Sequence, residues 1–178
     1  MIFLLIAFID VIILSYIISF VRALINKLSF YRKLKQACKS KGLKAEFPRK
    51  LLASIFRYAG RPDVVVETPT EKYLIRFINC DNKSLCFNFP SPEWYVSFEN
   101  VLSAMINPTG RFKHLPRFKN EYLDIVSERE VKQIMIFAPS FPKISYLDEQ
   151  KAQKKICGRG TNLEYWIISD EKYFLEQL

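Results

Sequence analysis

Apolar residues fill the first 21 positions, MIFLLIAFIDVIILSYIISFV, and Asp10 is the only charged side chain among them. A soluble helix carries an apolar stripe and a polar one. A run that is apolar nearly all round for about 20 residues is long enough to cross a hydrocarbon core of about 30 Å. The run continues through Ala23 to Ile25, so the pattern predicts a transmembrane helix over residues 1–25. Each Leu, Ile, Phe or Val contributes a few tenths of a kcal/mol to insertion, which together outweigh the roughly 2.5 to 3.5 kcal/mol that Asp10 costs. A cleaved signal peptide would open with Lys or Arg and close on a small-residue cleavage site, and neither feature is clear.

The pattern then changes period. Leu24, Ile25, Leu28, Phe30, Tyr31, Leu34 and Ala37 recur at steps of three and four among Lys27, Lys33 and Lys35, which predicts a helix with one apolar side that continues the anchor or bends along the surface. Gly42 is a helix stop, Leu43 to Phe47 reads as a short strand, and Pro48 ends it. Residues 26–50 thus form a basic juxtamembrane helix and linker. Beyond them, Leu51 to Tyr58 reads as a short helix. Val64–Glu67, Lys72–Ile78, Leu85–Phe89 and Trp94–Phe98 read as a meander of strands, Val131–Ala138 as a buried strand, and Leu163–Ile168 as another. Val101 to Ile106 fits either helix or strand, and Gly110 to Glu121 reads as loop. The expected class is α+β: an anchor, a basic helix, and one compact strand-rich module over residues 51–178, of ordinary single-domain size.

Charge sharpens this division. Arg22 to Lys50 holds ten Lys or Arg against Glu46, whereas residues 51–178 hold 17 basic and 16 acidic side chains. The chain's net charge of +9 therefore sits beside the apolar run. By the positive-inside tendency the module is expected in the cytoplasm, behind a single pass through the cell membrane. Anionic lipid headgroups attract basic side chains placed this way, and Lys27, Arg32, Lys33, Lys35, Lys39 and Lys41 are the expected surface contacts. Asp10 falls near mid-membrane, and Ala7, Ser15, Ser19 and Ala23 recur in multiples of four. Asp10, Ser15 and Ser19 are therefore candidate contacts for another helix, through a homo-oligomer or a protein partner.

Candidate chemistry is sparse. Cys38, Cys80, Cys86 and Cys157 form no CxxC pair, and with His114 the only histidine there is no zinc-site spacing. These thiols are expected to be reduced and mostly buried. No nucleophile motif accompanies His114, and the five glycines make no phosphate cradle. RFKHLPRFK, residues 111–119, interleaves Phe112 and Phe118 with basic side chains, a composition compatible with nucleic acid. The acids Glu121 and Asp124 that follow favour a structural reading, and no cofactor is expected.

AGRPDVVVETPTEKYLIRFI, residues 59–78, resembles the central hairpin of PD-(D/E)XK nucleases. In that family one strand opens on PD, and the next carries an acid and a lysine two residues apart around a catalytic metal. Pro62 and Asp63 match the first element. The expected register sets Arg76 and Ile78 where the family has the acid and the lysine, which leaves Asp63 and Glu67 as the only catalytic candidates. More broadly, the anchor, the basic helix, PDVVVET, IMIFAPSFPKI and the YFLEQL end resemble small uncharacterised single-pass membrane proteins of Gram-positive bacteria. That likeness implies the architecture and no activity. The sequence-level expectation is a noncatalytic, membrane-tethered module that binds or scaffolds a protein partner. A degenerate metal-dependent nuclease and a membrane-held nucleic-acid binder are the alternatives.

Overall fold

The structure, a computed structural model, describes residues 2–48, 61–80, 84–88, 93–97, 111–113, 129–147, 154–163 and 165–178. The expected helix at 51–58 and the ambiguous segment at 101–106 lie outside these residues. Helix α1 (Ile2–Ser40) is continuous across the predicted change of period, and at 1.5 Å per residue it is about 58 Å long. It stops where Gly42 was expected to stop it. Gly42 takes φ +67°, open to glycine without a Cβ penalty, and the Leu43 N–H donates to the Cys38 carbonyl at 2.8 Å.

Among the described residues, eleven strands follow, in two sheets. The first sheet contains β1 (Lys44–Glu46), β2 (Val64–Glu67), β3 (Glu71–Cys80), β7 (Glu130–Pro139), β11 (Trp166–Asp170) and β10 (Asn162–Leu163), in that spatial order. The second contains β6 (Arg111–Lys113), β5 (Glu93–Ser97), β4 (Ser84–Asn88), β8 (Lys143–Leu147) and β9 (Lys154–Cys157). The hairpins β2–β3 and β4–β5 are antiparallel, as a meander requires, but β3, β7 and β11 run parallel at the centre of the first sheet. The expected meander is broken between β3 and β4, which lie in different sheets. The chain between these parallel strands carries the strands of the second sheet, so partners in the central sheet are far apart in sequence.

Sheet position explains the strand patterns. β3 and β7 are covered on both faces and therefore carry near-continuous buried runs rather than alternation. One face packs Leu74, Ile78, Met135, Phe137, Trp166 and Ile168 toward Ile144 and Cys157 of the second sheet. The other packs Val64, Val66, Ile75, Phe77, Ile134 and Ile136 against Phe30, Tyr31, Leu34 and Cys38 of α1 and Phe174 of helix α2 (Glu171–Gln177). The Phe30 ring stacks on Phe77 with centroids 5.4 Å apart. The buried stripe of α1 thus differs from the expected one: Ile25 and Leu28 are 58% and 41% exposed, and the inward face is Lys27, Phe30, Tyr31, Leu34 and Cys38. Leu43, Ala45 and Phe47 join the same cluster, so the module's core draws on residues before Leu51.

Three further differences are local. Arg111–Lys113, expected as loop, pairs with β5 as an edge strand. The segment expected as one strand over Leu163–Ile168 is a tight antiparallel pair, Leu163 opposite Trp166, with both side chains in one core cluster. The last residues form α2, whose N-cap Asp170 accepts from the Tyr173 N–H at 2.8 Å. Cys38, Cys80 and Cys157 are buried, and burial pushes the thiols of Cys38 and Cys157 up.

Candidate functional site

The carboxyl ends of β3, β7 and β11 point toward the end of the module from which the apolar half of α1 departs. Two groups of polar side chains lie there. The first is centred on Asp63, just before β2. Its N–H donates to the Ile75 carbonyl at 2.8 Å, which extends the β2–β3 ladder by one residue. One carboxylate oxygen accepts from the Phe77 N–H at 2.8 Å and the other from Lys27 Nζ at 2.7 Å. Both side chains are largely buried, at 11% exposure for Lys27 and 15% for Asp63. The Tyr31 hydroxyl approaches the Asp63 carbonyl, and Lys27 Nζ lies 5.8 Å from the Tyr31 ring centroid. The result is a polar rivet that joins α1 to the hairpin.

Arg76 lies opposite Asp63, one step beyond the Val64–Ile75 pair of the β2–β3 hairpin. It is buried, donates to the Arg61 carbonyl at 3.2 Å, and lies 5.7 Å from the Trp166 ring. Burial lowers its pKa, and the negative charge of Asp63 opposes that shift. Ile78 belongs to the core cluster on the second-sheet side. Glu67 lies four residues beyond Asp63, about 13 Å along an extended strand, and pairs with Arg129 at 3.0 Å and with Lys44. Asp63 and Glu67 therefore do not converge, and a metal at Asp63 would have to displace the Lys27 ammonium. Among the described residues no group of three or more His, Cys, Asp or Glu side chains gathers.

The second group lines a cleft of about 480 Å³ between α1, the end of β7 and the start of α2. Asn26, Ser29 and Lys33 face it from α1, Pro139, Ser140 and Phe141 from the β7 end, and Arg159, Asp170, Glu171 and Lys172 from the opposite wall. Asn26 is held by its side-chain amide, which donates to the Asn79 side-chain oxygen at 2.8 Å. Lys33 reaches Glu171 at 2.5 Å, and Arg159 pairs with Asp170 and lies 5.1 Å from the Phe141 ring. In open α/β sheets, ligands collect in crevices outside the carboxyl ends of parallel strands.

Comparison with family models, curated proteins and solved structures gave no match.

A second cavity, of about 340 Å³, opens between the first sheet and α2 and is lined by Glu71, Tyr73, Lys132, Ser169 and Tyr173 among others. Glu71 accepts from both Lys132 and Tyr73. The hydrogen bond from Lys132, followed by that from Tyr73, holds the Glu71 carboxyl below its usual range, and the Lys132 ammonium is raised in return. Burial, then Glu71, pushes the Tyr73 phenol up. The three side chains satisfy one another, which reads as a structural network.

The remaining predicted residues fall on α1. Asp10, Ser15 and Ser19 are all exposed. At about 100° per residue, Ser15 and Ser19 share a face, whereas Asp10 lies about 140° from Ser15 and 180° from Ser19. One partner helix cannot contact all three side by side. Of the basic set, Arg32, Lys33, Lys35, Lys39 and Lys41 are exposed, but Lys27 turns inward to Asp63. A continuous helix also carries Lys39 about 21 Å along the axis from Ile25, away from the apolar half. Arg159 and Lys172 were not foreseen: their place depends on β11 and α2, and the Asp170 N-cap was the available signal for that helix.

Proposed function

We propose that this chain is a single-pass membrane protein whose cytoplasmic α+β module is a noncatalytic binding or scaffolding platform held at the bilayer surface. The observation that carries the reading is the exposure of the apolar half of α1. Phe8, Val11, Leu14, Tyr16 and Ile17 are each more than half exposed, and the most apolar 18-residue window of the helix has no buried residue. The module leaves this surface uncovered, and a contiguous apolar face of that extent needs another apolar phase. A bilayer also satisfies a helix whose backbone hydrogen bonds are all internal.

The ties of Asp63 favour a platform over a nuclease, since its carboxylate already anchors α1 to the β2–β3 hairpin. The partners that fit are anionic lipid headgroups near Arg22 and Lys33 and a protein, or a second copy of the chain, reached through the membrane helix or the module. The expected result of fractionation is that the full chain sediments with membranes, resists high salt and alkaline carbonate, and yields to detergent. Protease outside intact cells should spare the module. Release by salt or carbonate would remove the spanning helix, and digestion from outside would invert the topology.

A further inference from the structure

The cleft at the carboxyl ends of β3, β7 and β11 abuts the part of α1 that directly follows its apolar half. Asn26 is the residue after Ile25, and Lys33 lies about 12 Å beyond Ile25 along the helix axis. The polar layer on each side of a bilayer is about 5 to 8 Å thick. If α1 spans the membrane, a reading on which this inference rests, Asn26 and Ser29, about 2 and 6 Å beyond Ile25, set the mouth of the cleft in the headgroup layer, and Lys33 lies just past it, where its long side chain can reach back to a phosphate.

The lining suits a phosphate diester. Lys33, Arg159 and Lys172 supply cations, and Ser29 and Ser140 supply hydroxyls. Lys33 and Arg159 are about half exposed in their pairs with Glu171 and Asp170, and exposed pairs of this kind are weak enough to share a donor with an incoming anion. Lys172 is exposed and has no ion-pair partner among the described residues. Ala138, Pro139 and Phe141 form a less polar wall suited to the carbon backbone of a lipid. The amides at the start of α2 are not needed for this site, since the Asp170 carboxylate already accepts from the Tyr173 N–H. Charge-assisted hydrogen bonds from ammonium and guanidinium groups are strong ones to phosphate oxygens.

We propose that this cleft binds the phosphate of an anionic phospholipid headgroup through Lys33, Arg159 and Lys172, and so fixes the module's orientation on the membrane. The test is native mass spectrometry of the full chain in nonionic detergent, titrated separately with phosphatidylglycerol, phosphatidylcholine and inorganic phosphate. Retention of phosphatidylglycerol over phosphatidylcholine is expected. The Arg159→Gln/Lys172→Gln variant should weaken retention about tenfold or more, because each cation near an anionic surface contributes about 1 kcal/mol. Lys39→Gln/Lys41→Gln, about 9 to 12 Å along the axis from Lys33 and so about one screening length away, should change it less than about twofold. Lys172→Gln alone breaks no ion pair and should weaken retention while leaving the thermal midpoint unchanged, which separates binding from folding. Equal losses in the cleft and control variants would overturn the site, as would displacement of the lipid by inorganic phosphate at equal concentration. Carbonate extraction of the same variants separates the two proposals: a carbonate-resistant chain with cleft-independent retention sinks the cleft alone, and an extractable chain sinks the anchor.

Discussion

Asp63→Ala is expected to destabilise the module by about 3 to 5 kcal/mol, the usual cost of removing one partner of a buried ion pair. The substitution removes three things together. Lys27 keeps its charge at 11% side-chain exposure with its anion gone, the Phe77 N–H loses its acceptor within the hairpin, and α1 loses its polar tie to β2 and β3. Asp63→Asn should cost less, because the amide oxygen still accepts from Phe77. Lys27→Met should also cost less than Asp63→Ala, since the thioether stem can pack beside Tyr31 while Asp63 keeps its backbone donor. If the two side chains act as one unit, the Lys27→Met/Asp63→Asn double variant will be more stable than the sum of its parts predicts. Urea unfolding of the full chain in mild detergent, followed by tryptophan fluorescence, measures all four. A loss below about 1 kcal/mol in Asp63→Ala would mean that Asp63 is not the rivet, and its carboxylate would again be free for a different role.

Phe30→Ala should be comparably damaging, at about 3 to 5 kcal/mol, the range for deleting a fully buried aromatic side chain. Phe30 has no solvent exposure, stacks on Phe77, and sits between α1 and the most buried stretch of β3. The informative comparison is Leu28→Ala, only two residues away on the same helix. Leu28 is 41% exposed and belongs to neither core cluster, so its truncation should cost well under 1 kcal/mol. Equal effects at the two positions would place a different face of α1 against the sheet.

These positions also mark what the sequence could and could not convey. The apolar run to Ile25, the stop at Gly42 and the strands around Val64–Glu67 and Val131–Ala138 were legible because each depends on local pattern or on one residue's backbone preference. The face of α1 was misjudged because Lys27 was counted among the solvated cations. Its inward direction depends on Asp63, 36 residues away, and no periodicity carries that information. The same holds for the sheet. The parallel register that sets Arg76 beside Met135 and Ile168 beside the same residue joins segments more than 30 residues apart, whereas hairpins announce themselves locally. The cleft was invisible for that reason: Lys33, Ser140, Arg159 and Lys172 meet only once β7 and β11 are neighbours. Asp63 was singled out as a catalytic candidate, and the structure sets its carboxylate between Lys27 and the Phe77 N–H.

One helix is expected to leave the bilayer and enter the module's core without a break. Spin labels placed singly along α1 from Phe8 to Ser40, in the full chain reconstituted into vesicles, test it most directly through their accessibility to oxygen and to a water-soluble nickel chelate. Labels from Phe8 to Ile25 should favour oxygen on every face of the helix, with the greatest preference near Ile13. From Asn26 onward the pattern should give way to a repeat of about 3.6 residues, with Phe30, Leu34 and Cys38 shielded from both reagents. Access of the nickel reagent to Ile13 and Ile17, or a polar-accessible stripe along residues 8–25, would contradict a spanning helix.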